Sequence, residues 1–351
     1  MSPTRRTFLQ WGGVVSPMFA ANPFGVFRSL IGPKGDERPA KAVPPNPFVR
    51  DGKTLVSIVN GTDVPGMVAE AVGLIGGVDR LTVRGKTVLV KPNVVASEPP
   101  PTTTNPAVVA AVVRMLVEAG AGRVIVGEMS GVIRLPTDRN LEETGVAKAS
   151  REAGAEVITF DDGEWIEVKP PQAQLVDRLH VAKPVYEADL VVNVPVVKTH
   201  SYATYSICLK NLVGVTHPRY RPYRVNPTKW EELVAEMNLA AHPVLNVVDA
   251  TKCMIAGGPL GGTSTETNLI LASGDRVAAD VVGLALIAHF GQWEKVASIG
   301  VWQQRQIRHA QALGVGLADP KQLALVSRAI GPDTGEFEQL LADLKRRVGV
   351  S

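Results

Sequence analysis

The chain is short of the residues that mark the commoner chemistries. Its 351 residues include two cysteines, Cys208 and Cys253. Two thiols cannot supply the four ligands of an ordinary iron–sulphur cluster or of a cysteine-rich zinc site, and neither is expected. Aromatic residues make up 5% of the chain, leaving few platforms for stacked bases. The net charge is only +3, whereas a nucleic-acid binder of this size carries a denser basic face. Nucleic acid is therefore not expected as a partner. There is no Gly-x-Ser-x-Gly elbow and no histidine pair at metal-binding helical spacing, so serine-hydrolase and zinc-protease readings lack support.

What is present is globular. The chain is 45% hydrophobic and 20% charged, enough for one large domain or two small ones. At its start, Thr4-Arg5-Arg6-Thr7-Phe8-Leu9-Gln10 has the form of a twin-arginine export signal. The apolar stretch that follows, Trp11–Ala21, is too short for an ordinary membrane span. Residues 1–31 are thus expected to be a signal read by the twin-arginine export machinery, cleaved or kept as an anchor, with the folded part in the periplasm. Residues 32–50, rich in Pro, Lys, Asp and Glu, read as an extended linker. One domain is expected over residues 51–351.

Along that domain, short β-branched runs alternate with helical patterns. Strands are expected at Leu55–Val59, Lys86–Val90, Arg123–Val126, Glu156–Phe160, Leu190–Val194, Val244–Val248, Asn268–Ala272 and Leu323–Val326. Helices are expected at Val64–Ile75, from Asn105-Pro106 to Ala119, at Asn140–Ala153, from Asn226-Pro227 to Ala241, at Arg276–His289 and at Glu336–Val348. Val168–Val181 suggests a small β excursion, and Met254–Gly262 a flexible glycine-dense loop. The alternation predicts an α/β fold: a mostly parallel sheet with helices on both faces, in three layers.

Polar and charged groups recur just after the strands. Lys91 and Asn93 follow one, and Glu128 and Ser130 another; Lys198 and His200, Asp249, and Ser273 with Asp275 follow the rest. In open α/β sheets ligands bind outside the carboxyl ends of the strands. The densest such stretch is Val191–Gly214, where an apolar run gives way within fourteen positions to Lys198, His200, Lys210 and Asn211. Lysines at two strand tips favour a small anionic molecule. Lys198 and His200 are the candidate catalytic pair, His200 as a proton-transfer group. Lys91, Asn93, Lys210, Asn211, Asp249, Asp275 and Asp280 are the candidate ligand-binding residues. Asp275 has the alternative of capping its helix, and Asp280, inside an apolar helix, needs a partner or a ligand. His217–Arg224 reads as a loop, either solvated or a lid whose arginines meet the anion. The residues name no metal or cofactor.

Several blocks together carry a family resemblance. Lys91-Pro92-Asn93, Val194-Pro195-Val196-Val197-Lys198-Thr199-His200, Leu209-Lys210-Asn211-Leu212-Val213-Gly214 and Ser273–Asp280 occur in that order, with Asp249, Gly257-Gly258-Pro259 and a late His309–Gly314. They resemble the signature blocks of the domain-of-unknown-function 362 family, across roughly residues 54–316. The family has no generally assigned reaction. Many relatives carry ferredoxin-type cysteine motifs; this chain lacks them, so an iron–sulphur label does not transfer. Other relatives carry twin-arginine signals. The resemblance leaves an exported enzyme acting on a small anion, or a non-catalytic periplasmic binding or redox-accessory protein using the same crevice. The layout is also loosely similar to that of nickel-dependent lactate racemases, without a shared motif.

Overall fold

In this computed structural model, residues 33, 35–331 and 335–350 are described. The twin-arginine stretch lies outside them. The strands are β1 (Gly35–Glu37), β2 (Val49–Arg50), β3 (Lys53–Asn60), β4 (Thr87–Pro92), β5 (Arg123–Glu128), β6 (Glu156–Thr159) and β7 (Trp165–Val168). Then come β8 (Leu179–Ala182), β9 (Leu190–Val194), β10 (Val196–His200), β11 (Thr204–Ser206), β12 (Leu245–Gly257), β13 (Gly262–Ser273) and β14 (Leu323–Ala329).

The main sheet has eleven strands, with the order β14-β3-β13-β12-β9-β4-β5-β6 and with β2, β10 and β11 off that path. β13 is antiparallel to both its neighbours, and every other adjacent pair on the path is parallel. Valine-rich strands suit this arrangement because both their faces are buried. Successive residues of β4 show it: Val88 and Val90 enter one apolar core, Leu89 the other. Helices Val64–Ile75 and Pro106–Glu118 cover the first face, while helix Arg276–Phe290 covers the second. The protein is a mixed α/β single domain with three layers, as its sequence predicts.

The topology places the crevice. From β4 the chain crosses through helix Pro106–Glu118 to β5 on one side, whereas β9 joins β4 on the other. Strand order reverses at β4, the position where open α/β sheets leave a gap beyond the strand ends.

Several local expectations are corrected. The stretch read as a linker is partly packed: β1 pairs in parallel with β7, and Phe48 is fully buried. Apolar Phe48 and Val49, set among prolines and charges, carried too little periodicity to reveal this. The β excursion is real: β7 and β8 pair antiparallel and with β1 make a separate three-stranded sheet. The glycine-dense loop is short, because β12 runs on to Gly257 and β13 starts at Gly262, a long hairpin. The Asn140–Ala153 helix is two helices, Thr137–Glu143 and Val146–Glu152, parted by Gly145 at φ 79°. Lys198 and His200 lie on β10, not on a loop; Pro195 interrupts the run, and the chain then resumes pairing with β11 and β12.

Candidate functional site

The site begins with two strand tips of opposite charge. Parallel pairing sets Val90 beside Val126, so Lys91 and Glu128 emerge together at the ends of β4 and β5. Lys91 Nζ lies 2.6 Å from Glu128 Oε1, with both side chains almost wholly buried. Burial works against both charges, pushing the Lys91 pKa down and that of Glu128 up. Glu128 nevertheless accepts hydrogen bonds from the backbone N–H of Val94 and Met129, each at 2.8 Å. Those donors favour the carboxylate, and the pair is best described as an ion pair.

An asparagine relay links this pair to the rest. Asn211 Nδ2 donates to Lys91 O at 3.1 Å and to Asn193 Oδ1 at 2.8 Å. Its Oδ1 accepts from Lys91 Nζ at 3.3 Å and from Asn93 Nδ2 at 3.0 Å. Asn93 Oδ1 in turn accepts from Lys198 Nζ at 2.6 Å, and Thr102 O accepts from the same ammonium at 2.5 Å. Thr104 closes the wall, donating to Val194 O and accepting from the Asn93 N–H. Both asparagines thus present an oxygen to a lysine.

Lys210 is different. It stands on the short helix Cys208–Asn211, half-buried, and among the described residues no hydrogen bond or ion pair involves its ammonium. Burial, then the charges of Arg221 and Lys91, push its pKa down to about 7. Lys198 is also brought to about 7, by burial and then by the charge of Lys210. Arg221 is buried, donates to Val213 O, and has its pKa lowered by that burial. For both Lys198 and Lys210 the strongest neighbouring charge is thus another cation. Glu128 is taken up by Lys91, and Glu98 and Asp161 act more weakly, on Lys198 and Arg221 respectively.

His200 completes the cluster. Its Nδ1 accepts from the backbone N–H of Tyr202 at 3.2 Å and of Ala203 at 3.1 Å, so the ring proton of the neutral imidazole sits on Nε2. Burial, then Lys210 and Lys198, hold its pKa well below the usual histidine range. The ring is therefore neutral at pH 7 and a hydrogen-bond donor through Nε2. In this arrangement it does not serve as a base.

The three candidate aspartates do other work. Asp249 accepts from Asn105 N at 2.7 Å and from Thr251 N and Oγ1 at 3.0 and 2.7 Å. It thereby holds the loop that carries Thr102 and Thr104. Asp275 caps helix Arg276–Phe290 by accepting from Ala278 N at 2.8 Å. Asp280 accepts from Cys208 N at 2.6 Å and Leu209 N at 3.2 Å, capping the helix that bears Lys210. These carboxylates satisfy buried backbone donors instead of meeting the cations.

Sequence reasoning left Glu128, Thr102, Thr104, Arg221 and Gly214 outside the candidate set. Glu128 was legible as a strand-tip acid beside Lys91 once β4 and β5 were paired. His217–Arg224 is not irregular: it forms the turns Pro218–Tyr220 and Pro222–Val225, with Tyr220 and Arg221 buried and Arg219 exposed. Gly214 is needed for space, since a Cβ there would meet Glu128 Oε1 at 2.5 Å and Lys91 Nζ at 3.0 Å. Cys208 and Cys253 are buried free thiols. Among the described residues no group of three or more His, Cys, Asp or Glu side chains is arranged to hold a metal. Two open cavities, of about 290 and 510 Å³, are lined by none of Lys91, Lys198 and Lys210. The smaller is lined by Asn105 and Thr251, the larger by Arg219, Tyr220 and Arg224.

Fold and site together define an α/β protein with a cluster of buried cations at its topological switch point. The family model described as Domain of unknown function (DUF362) matches residues 88–285, over half the chain, and the chain belongs to that family. A thylakoid-associated protein of Synechocystis sp. is 27% identical over 216 residues, which are 59% of this chain and 65% of that protein. The chain thus spans just under two thirds of that relative's length. The lactate racemase apoprotein of Thermoanaerobacterium thermosaccharolyticum aligns over 86% of this chain and 88% of its own, with 10% identity and a TM-score of 0.39. A Thermotoga maritima protein aligns over 53% of this chain and 49% of its own, with 13% identity and a TM-score of 0.30. Likenesses this distant carry no functional argument. No helix among the described residues is long and apolar enough to cross a membrane.

Proposed function

We propose that this protein is exported by the twin-arginine route and holds a small anion, a carboxylate or phosphate, at Lys198, Lys210, Arg221 and Asn93. One observation carries the reading: the Lys210 ammonium has no hydrogen bond or ion pair among the described residues, while Arg221 and Lys91 bring further positive charge to it. A protein that buries like charges together spends stability on them. An anion between them relieves that cost and turns it into affinity. The Nε2–H of His200 supplies a neutral donor to the same ligand.

Binding of an anion raises the pKa of both lysines above their free values. Protons are therefore taken up on binding, and affinity is full below pH 7 and falls above it. Calorimetric titration with inorganic phosphate and with acetate, at pH 6 and pH 9, tests this. Tighter binding at pH 6, weakened in Lys210→Gln, is expected; equal affinity at both pH values in wild type and variant would falsify the site. Lys198→Ala and His200→Ala separate the classes, since an enzyme loses turnover in both whereas a binding protein only loses affinity. Export is tested by replacing Arg5-Arg6 with Lys-Lys, which should retain the protein in the cytoplasm.

A further inference from the structure

Beside the cation cluster stands a group of aromatic rings that its chemistry does not use. Tyr202, in the turn between β10 and β11, is 69% exposed, the most exposed large apolar side chain among the described residues. Its ring is stacked on Trp230, with centroids 5.0 Å apart and planes at 21°. Tyr223 packs on the same indole at 5.9 Å. His200 lies 6.3 Å from Trp230 and 6.5 Å from Tyr202, ring centroid to ring centroid. In a chain with 5% aromatic residues, this gathering is not compositional chance.

Two residues join the rings to the cations. His200 shares β10 with Lys198, and its Nδ1 holds the backbone of Tyr202. Tyr223 sits two residues after Arg221, within reach of its charge. The Nε1–H of Trp230 is buried and has no acceptor among the described residues. A buried donor left unpaired costs free energy that an acceptor from outside can recover.

We propose that the ligand is an organic anion with an aromatic ring: the charged group sits at Lys198, Lys210 and Arg221, and the ring lies against Tyr202 and Trp230. This rests on the anion-binding reading above and adds the substrate class. An exposed tyrosine already held flat by an indole is preorganised for ring contact, and a ring-borne oxygen or nitrogen satisfies Trp230 Nε1.

The test compares matched anions on the full folded chain by calorimetry: phenyl phosphate against methyl phosphate, and benzoate against acetate. The wild type is expected to bind the aromatic member of at least one pair about fivefold or more tightly. Tyr202→Ala should bring the two members within about twofold while leaving methyl phosphate or acetate affinity unchanged. Because Tyr202 is exposed, that variant should fold; Trp230→Phe, which keeps a ring and removes the N–H, is the second variant and should weaken 4-hydroxybenzoate, whose ring carries an oxygen, while leaving benzoate unchanged. Equal binding of both members by wild type, with the simple anions still bound, overturns the ring subsite alone. Failure of all four anions to bind overturns both readings. A ring preference that survives in Tyr202→Ala, or 4-hydroxybenzoate binding unchanged by Trp230→Phe, also overturns the assignment.

Discussion

The short helix Cys208–Asn211 has a buried carboxylate at one end and a cation near the other. At its start Asp280 accepts two backbone N–H groups, and at its end Lys210 has no such partner. Asp280 is wholly buried and Lys210 half-buried, and both have pKa values brought to about 7 mainly by burial, upward for Asp280 and downward for Lys210. Their surroundings differ in kind. Around Asp280 the nearest polar groups are donors that offset its charge. Around Lys210 the nearest charges are cations that compound the cost. A buried charge satisfied by its own chain is architecture, whereas one left in company of like sign marks a place for something the chain does not contain.

The sharpest way to break this contrast is to disturb a satisfied charge. Glu128→Gln removes one partner of a buried ion pair and should lower stability by about 3–5 kcal/mol, read from the midpoint of urea unfolding. The exposed pair Arg123–Glu156 is the control: Glu156→Gln should change stability by less than about 1 kcal/mol. A loss at Glu128 no larger than at Glu156 would mean that the cluster is not closed as described.

Crowding the pair without removing it is the next step down. Gly214→Ala places a methyl group against Glu128 and Lys91, and should cost about 1–3 kcal/mol. Phosphate or acetate affinity should fall with it, because Lys91 supports Asn211 and Asn93. Gly73→Ala, where nothing approaches the new carbon, should do neither.

Lys210→Gln should not lower stability at pH 7, because it removes a charge held among cations, yet should cost about tenfold in anion affinity. Divergence of stability from binding is what separates an unsatisfied charge from a satisfied one.

The pH dependence of stability offers the finest discrimination. Lys198 and Lys210 titrate near 7 when folded and near 10.5 when unfolded. Between those values the unfolded chain binds more protons, so these two groups make stability rise with pH from about 7 upward. Asp280 runs the other way. Its folded pKa of about 7 exceeds the usual 3.8, so the folded chain binds the extra proton, and its contribution falls as pH rises from about 4 to 7. Lys210→Gln should flatten only the rise above pH 7, and Asp280→Asn only the fall below it. Urea unfolding at pH 5, 7 and 9 reads both slopes.

Much of the architecture follows from local pattern. Val64–Ile75 and Leu190–Val194 have the bounds expected from apolar spacing and from the flanking glycines and charges. The long hairpin of β12 and β13 does not, because glycines that signal flexibility in one dimension serve close backbone approach in three. A Cβ on Gly258 would lie 2.1 Å from Thr199 O, so that glycine is dictated by a strand fifty-nine positions away. The packed start of the domain escaped notice for a similar reason: β1 is held by pairing with β7, over a hundred residues later.

By itself, the order of residues determined that Lys91, Asn93, Lys198, Lys210 and Asn211 share one end of one sheet, since alternation of strands and helices brings strand tips together. It also determined that Asp280 needed a partner, because a carboxylate in an apolar helix is too costly alone. Only the tertiary structure decided which charges find a partner. Glu128 went to Lys91 through strand register, and Asp280 to the start of the helix bearing Lys210. Lys198 was left facing the charge of Lys210, and Lys210 the charges of Arg221 and Lys91. Charge balance depends on separations of a few ångströms between segments far apart in the chain, and no local pattern encodes those.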